Sequence, residues 1–253
     1  MTLLRPQDAY HKAQLVRLLI AILDEPTLAE NLRFKGGTCA SMLGFLDRFS
    51  VDLDFDVRPE ADKSVMRRQF YKIFVELGLE VKDESKKVLE FFLRYQAAAN
   101  ARNTIKLDAL SQGYVANEYR PQRLAEIDRI AVCQTIETMF ANKLVAPVDR
   151  FERNGTVAGR DIYDIHYFYM TGRKYVGGVI GERTGMAVGQ YLRKLKKFIE
   201  EQMTETVINQ DLNALLPAER FQAIRKSLKT ETLLFLDNDL GRLRNDKDGR
   251  VGK

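Results

Sequence analysis

Over residues 6–23 the apolar positions recur every three or four residues. Leu15, Leu18, Leu19 and Leu23 share one face, and this period predicts a helix. A shorter helix is expected over 26–32. Gly36-Gly37 then interrupts the pattern, and Thr38 reads as the N-cap of a helix over 39–46. Over 50–57 the period falls to two. Val51, Leu53, Phe55 and Val57 alternate with Ser50, Asp52, Asp54 and Asp56, as in a strand whose successive side chains take opposite faces. Pro59 closes it. The helical period returns over 62–77, with Val65, Phe70, Ile73, Phe74 and Leu77 as its stripe and Gly78 as its stop. Strand-like runs follow at 79–82, 89–96 and 103–110. In the last, Ile105, Leu107 and Ala109 take one face and Lys106 and Asp108 the other.

Beyond residue 125 the pattern is almost wholly helical. Helices are expected over 130–145, 161–170, 187–206 and 217–236, with a polar loop over 147–159 and a polar, fraying tail over 238–253. This order predicts an α+β fold. A small mixed β-sheet core flanked by helices occupies 1–125, and a mainly helical domain occupies 126–253.

Composition narrows the class. Of 253 residues 45% are hydrophobic and 30% charged, which suits a globular chain rather than a disordered one. No apolar run approaches the roughly 20 residues that span a bilayer, and the first residues lack a signal-peptide pattern. No membrane partner and a cytoplasmic location are therefore expected. Cys39 and Cys133, far apart in apolar surroundings, read as buried free thiols of a reducing compartment. Only two histidines, His11 and His166, accompany them, so no Cys/His zinc site can form. The formal net charge is +5, which leaves room for a nucleic-acid partner.

The candidate chemistry begins at the acidic strand. Asp52 and Asp54 lie among apolar residues, where an unpaired carboxylate is costly to bury. Carboxylates on one strand face repel unless a cation separates them, and hard oxygen ligands suit Mg²⁺ and, through it, a nucleoside triphosphate (NTP). Asp56 continues that face but sits beside Arg58 and Pro59, and reads as solvated. Asp108 is a second carboxylate inside an apolar strand and would complete a two-metal site. Gly36, Gly37 and Thr38 form either a plain turn or a turn that presents backbone N–H groups to a phosphate. They are not a P-loop, since no Gly-Lys-Ser/Thr follows. Ser50 adds a hydroxyl on the acidic face, where a phosphate would bring about −1.5 to −2 charges and repel a triphosphate. Lys143 follows Phe140, Met139 and Ile136 on an apolar stripe. Its ammonium either snorkels to water or points at a triphosphate. Asp161 and Asp164, three residues apart, either cap their helix or hold Lys143. Arg48, Arg150 and Arg160 flank these motifs as phosphate contacts or exposed charges. The basic run from Arg193 to Lys197 reads as a solvated face.

Together these motifs resemble those of the AbiEii/AbiGii-type (MenT-like) nucleotidyltransferase toxins, within the DNA polymerase β-like nucleotidyltransferase superfamily. The first motif is Gly36-Gly37-Thr38 followed by Arg48-Phe49-Ser50-Val51-Asp52-Leu53-Asp54-Phe55. The second is Asn142-Lys143-Leu144-Val145-Ala146, Arg150 and Arg160-Asp161-Ile162-Tyr163-Asp164-Ile165, with Asp108 at the position of the third carboxylate. The resemblance implies that Asp52, Asp54 and Asp108 bind Mg²⁺ and that Asp108 helps to deprotonate an acceptor hydroxyl. It implies that Gly37 and Ser50 contact phosphates, Lys143 grips the triphosphate, and Asp161 is the essential late acid. Such an enzyme moves a nucleotide from an NTP to RNA, typically the tRNA 3′ end, blocks translation, and is neutralised by a separately encoded antitoxin. Cys39-Ala40-Ser41-Met42 in place of the more usual Ala-Leu-Arg after Thr38, and the insert over 151–159, depart from the family pattern. Nucleotidylation of a protein or a small molecule such as an aminoglycoside, and a non-catalytic nucleotide-binding module, remain alternatives.

Overall fold

The structure, a computed structural model, describes residues 6–99, 101–111 and 114–251. The chain divides into two compact units, Met1–Thr135 and Ile136–Lys253.

The first unit opens with helices α1 (Pro6–Asp24) and α2 (Pro26–Asn31), then strand β1 (Leu32–Lys35) and helix α3 (Gly36–Met42). Strand β2 (Leu53–Val57) and helix α4 (Lys63–Glu76) follow, the latter capped by the Asp62 carboxylate on the Ser64 and Val65 N–H groups. Strands β3 (Glu80–Glu84), β4 (Leu89–Arg94), β5 (Thr104–Leu110), β6 (Tyr119–Leu124) and β7 (Arg129–Gln134) complete one seven-stranded mixed sheet. Its order is β3-β4-β5-β2-β1-β7-β6. The alternation expected in β5 is present: Ile105, Leu107 and Ala109 are buried while Lys106 and Asp108 are partly exposed. Leu53, Phe55, Phe91 and Leu93 extend this buried face, and Phe70 and Phe74 of α4 pack on Phe91.

Several expectations change here. The helix expected from 39 begins at Gly36, with Lys35 at the N-cap position, so Thr38 lies inside it and does not cap it. The acidic strand starts at Leu53; Ser50 and Asp52 precede it. The helix expected over 130–145 is replaced at its start by β7, which pairs antiparallel with β6. The sheet-bearing unit consequently runs to Thr135 rather than 125. β6 shows no strand pattern in the sequence because it is polar and carries Pro121, features tolerated at the sheet edge that it occupies.

The second unit is helical. It contains α5 (Ile136–Asn154), α6 (Gly159–Met170), α7 (Gly177–Thr184), α8 (Val188–Gln202), α9 (Glu205–Leu212), α10 (Ala218–Ile224) and α11 (Leu228–Val251). The expected loop over 147–159 is mostly helix: α5 runs through Pro147 to Asn154. The tail expected to fray from 238 is helical to Val251, and its last two residues lie outside the described ones. Among the described residues, no helix is long and apolar enough to cross a membrane.

Candidate active site

The candidate residues of the first unit converge at the joint between β1 and α3 and on the polar face of the neighbouring strands. β2 and β5 are parallel and in register, with Asp54 opposite Asp108; β4 puts Glu90 opposite Asp108, and β1 puts Lys35 opposite Asp54. One row across the sheet therefore reads Glu90, Asp108, Asp54, Lys35. Like charges directly opposite on adjacent strands destabilise a sheet unless something neutralises them. Lys106 does part of this, its ammonium 2.9 Å from Glu90 and 3.0 Å from Asp108 Oδ2. Burial works against that charge, but the two carboxylates outweigh it and hold the Lys106 pKa above its ordinary value. The other Asp108 oxygen, Oδ1, is buried and makes no hydrogen bond. A buried charged oxygen without a partner is costly, and a cation would satisfy it.

Gly36 adjoins this row. Its φ is +79°, and a Cβ there would lie 2.2 Å from Asp54 Oδ2 and 2.9 Å from Asp54 Cβ. Only glycine lets the chain turn into α3 so close to the carboxylate. At Gly37 a Cβ would lie 2.8 Å from the Ser50 Oγ and 3.0 Å from an Arg48 guanidinium nitrogen. Gly37, Ser50 and Arg48 are thus neighbours. Arg48 is only 2% exposed, so it is not the exposed charge that its type suggested.

The segment before β2 is held by side chains rather than by a strand ladder. Ser41 Oγ donates to the Arg48 carbonyl at 3.1 Å, Arg48 to the Phe49 carbonyl at 3.0 Å, and Thr38 Oγ1 to the Asp52 carbonyl at 2.5 Å. His11 Nε2 donates to the Val51 carbonyl at 2.9 Å, while its Nδ1 lies 2.6 Å from the Tyr95 hydroxyl. Burial lowers the His11 pKa and raises that of Tyr95 to about 12. No local sequence pattern points to this anchor, because its partners are far apart along the chain. A cavity of about 40 Å³ behind the segment, lined by Leu15, Thr38, Arg48 and Ser50 among others, has room for a few waters at most.

Asp56 overturns its expected solvation. It is 6% exposed, paired with Lys35 at 2.7 Å, and accepts from Tyr119 Oη at 2.7 Å and Gln134 Nε2 at 3.0 Å. Burial, followed by the Asp56 charge, pushes the Tyr119 pKa well up. Asp56 ties β1, β2, β6 and β7 together and has no oxygen to spare for a metal.

The fit to Mg²⁺ follows from the donor set. Among the described residues, no three His, Cys, Asp or Glu side chains gather into a ready-made metal cage. Mg²⁺ seldom uses such cages and is usually held by one or two carboxylates, waters and substrate phosphates. Asp54 and Asp108, with the unsatisfied Asp108 oxygen, fit that mode.

In the second unit the candidates form a ladder between α5 and α6. Lys143 Nζ lies 2.7 Å from Asp164 Oδ2, and Arg150 Nε lies 3.0 Å from Asp161 Oδ2. Numbers rise along α5 as they fall along α6, so the helices are antiparallel. Both carboxylates are buried, at 0% exposure for Asp164 and 1% for Asp161. Lys143 retains 18% side-chain exposure while Asp164 retains none, so the pair is sealed on the carboxylate side and only partly covered on the lysine side. Asp164, not Asp161, holds Lys143. Arg160 goes elsewhere, its backbone N–H donating to Asp211 at 3.2 Å. Gly159 lets α6 start against α9, since a Cβ there would lie 2.8 Å from the Ile208 Cα. The basic run on α8 is solvated and ion-paired, Lys194 with Glu152, Lys196 with Asp237 and Lys197 with Glu201.

Known proteins resemble this chain over most of its length. Residues 17–239 match the family described as the nucleotidyl transferase AbiEii toxin of a type IV toxin–antitoxin system. Among solved structures, JHP933 from Helicobacter pylori is similar at a TM-score of 0.60 and 18% identity, over 98% of each chain. A putative nucleotidyltransferase from H. pylori gives 0.59 and 18%, over 96% of this chain and 98% of that one. MenT4, a nucleotidyltransferase toxin from Mycobacterium tuberculosis H37Rv, gives 0.48 and 16%, over 93% and 87%. The curated proteins contain no match.

Proposed function

The chain belongs to the AbiEii nucleotidyl transferase toxin family, and on that premise we propose that it transfers a nucleotide from an NTP to the 3′ end of RNA, specifically tRNA, and so blocks translation. It is a nucleotidyltransferase of a toxin–antitoxin system, and a cognate antitoxin is its natural protein partner. Its substrates put its action in the cytoplasm.

In this reading the terminal hydroxyl of the acceptor attacks the α-phosphate. An O–P bond forms, the bond to the β-phosphate oxygen breaks, and pyrophosphate leaves. The Asp108 carboxylate, which faces the same side of the sheet as Asp54, receives the hydroxyl proton. The backbone of Gly36 and Gly37 admits the phosphates to the start of α3, with the Ser50 hydroxyl and the Arg48 guanidinium beside it. Asp54 and Asp108 would hold Mg²⁺, which supplies Lewis-acid polarisation and charge neutralisation on the phosphates, whereas Asp52, expected as a third ligand, precedes β2 and does not gather with them into a three-carboxylate cage. We assign the triphosphate contact in the second unit to Lys143, kept in place by Asp164, while Asp161 fixes α5 through Arg150.

The observation that carries this reading is the in-register pair Asp54 and Asp108 beside a glycine turn with no room for a side chain, one carboxylate oxygen being buried and unsatisfied. The test is purified protein with Mg²⁺, each labelled NTP in turn, and total RNA. Label is expected at tRNA 3′ ends with the wild type and not with Asp54→Asn. No label on RNA from any of the four NTPs would overturn the reading, and label on protein or an aminoglycoside instead would move the acceptor to that class.

A further inference from the structure

A second concave surface of the first unit lies between α4 and the turn joining β3 to β4. It encloses about 440 Å³ and its lining includes Lys63, Arg67, Arg68, Tyr71, Lys86 and Lys87. Arg67 is committed to the scaffold. It pairs with Glu84, donates to the Ser85 and Val88 carbonyls at 2.8 and 2.7 Å, and lies over the Phe91 ring at 5.1 Å. These contacts fix the turn against α4.

The other four cations are different. Lys63 and Arg68 on α4 and Lys86 and Lys87 on the turn are exposed, and among the described residues none of their four side chains makes an ion pair or a hydrogen bond. The nearby acids are already used: Glu84 by Arg67 and Tyr71, and Asp62 by the N–H groups at the start of α4. The basic run on α8, where each of three lysines has an acidic partner, is the contrast. Four unpaired cations fixed around one hollow repel each other, and a polyanion relieves that repulsion. The Tyr71 ring, 37% exposed on the same wall, offers a surface on which a base can stack.

Position decides what kind of polyanion fits. α4 packs on the apolar face of the sheet through Phe70 and Phe74 on Phe91, whereas Glu90, Asp108 and Asp54 occupy the polar face. A ligand touching both must pass around β3, the edge strand. A mononucleotide is too short for that; a polymer is not. A hollow also suits a line of phosphates better than the plane of a membrane.

We propose that the cleft between α4 and the β3–β4 turn binds the sugar–phosphate backbone of the RNA acceptor while its 3′ end reaches the carboxylate face. This rests on the reading of the acceptor as RNA.

The test compares the wild type with K63A/R68A/K86A/K87A in equilibrium binding of bulk tRNA across a salt series. The variant should bind at least 10-fold more weakly at low salt. The slope of log affinity against log salt should shrink by about 3, as expected for four lost phosphate contacts. Its NTP affinity by calorimetry and its melting temperature should not change; Arg68→Glu alone, with a smaller loss in the same direction, serves if the multiple variant melts early. Unchanged tRNA affinity and slope would overturn the cleft while leaving the RNA reading intact, provided the wild type labels RNA. A wild type that labels no RNA, but whose tRNA binding still falls on substitution, would sink the proposed reaction and keep the cleft. No tRNA binding by the wild type overturns both. Binding to phosphatidylserine vesicles that the substitutions abolish, with tRNA binding untouched, would reassign the cleft to a membrane.

Discussion

At position 36 a side chain is excluded twice, by a φ of +79° and by Asp54 Oδ2 at 2.2 Å from any Cβ. Gly36→Ala should cost about 2 kcal/mol in urea unfolding and abolish nucleotide transfer, because Asp54 must move. Gly37→Ala meets the Ser50 Oγ, the end of a small side chain that can rotate, so it should unfold nearly as wild type while weakening NTP binding. Asp108→Asn keeps the shape and removes the charge. It should lower kcat by about 100-fold or more and leave the melting temperature almost unchanged, since repulsion from Asp54 and Glu90 is relieved as the Lys106 contact weakens. His11 makes a prediction of the opposite kind. Burial lowers its folded pKa below the ordinary 6.5; the hydrogen bond to the Val51 carbonyl and the Asp8 charge oppose this and Arg102 reinforces it, leaving the net shift downward. The unfolded chain therefore binds a proton that the folded one refuses. His11 contributes its full stability above about pH 6.5 and loses it as pH falls through the folded value. Urea unfolding of His11→Asn should show a flatter pH dependence below about pH 6.5 than the wild type. The identities of Asp54, Asp108 and Lys143 were legible because a charge inside an apolar run is conspicuous. Those of His11, Glu90 and Lys106 were not, because each looks like an ordinary surface residue until pairing or packing sets its neighbour.

At the scale of elements, alternation located β4 and β5 and the 3.6-residue period located α1, α4 and α8, since each buries one face on a core. β1 leaves no pattern in the sequence because four residues between a helix and a glycine turn are too few to show a period. The sequence predicts too early an end for α5 because Pro147 resembles a terminator. Proline deprives the carbonyl four residues back of its N–H partner, here that of Lys143, but packing can carry a helix through it. The ladder between α5 and α6 predicts a division of labour. Asp164→Asn should raise the KM for NTP several-fold while costing about 1–2 kcal/mol, less than a wholly buried pair, because the partly exposed Lys143 can turn to water. Asp161→Asn should act mainly on stability, with KM little changed. Urea melts beside steady-state kinetics separate the two; equal KM effects would refute the assignment.

At the scale of the whole molecule the carboxylate row makes stability depend on what is bound. Mg²⁺ with a non-hydrolysable NTP at 100 times its Kd should stabilise the folded chain by about 2.7 kcal/mol, and Asp54→Asn should remove that gain. Differential scanning calorimetry at fixed protein concentration reads it directly. The charge of +5 is likewise a property of the whole chain whose meaning depends on arrangement. Of the basic clusters, the run on α8 is neutralised by acids brought from elsewhere in the chain, and the cleft beside α4 is not. Local period and side-chain chemistry were enough for the α+β class, for the parity of β2, β4 and β5 and for the candidate residue types of a triphosphate site. Tertiary structure alone decided that Asp108 stands opposite Asp54, that Asp56 is a buried tie between strands, that Asp164 holds Lys143, and that Arg48 is buried. Each of these joins residues distant in sequence, or sets burial by distant packing, and no local pattern encodes which strand or helix will lie alongside.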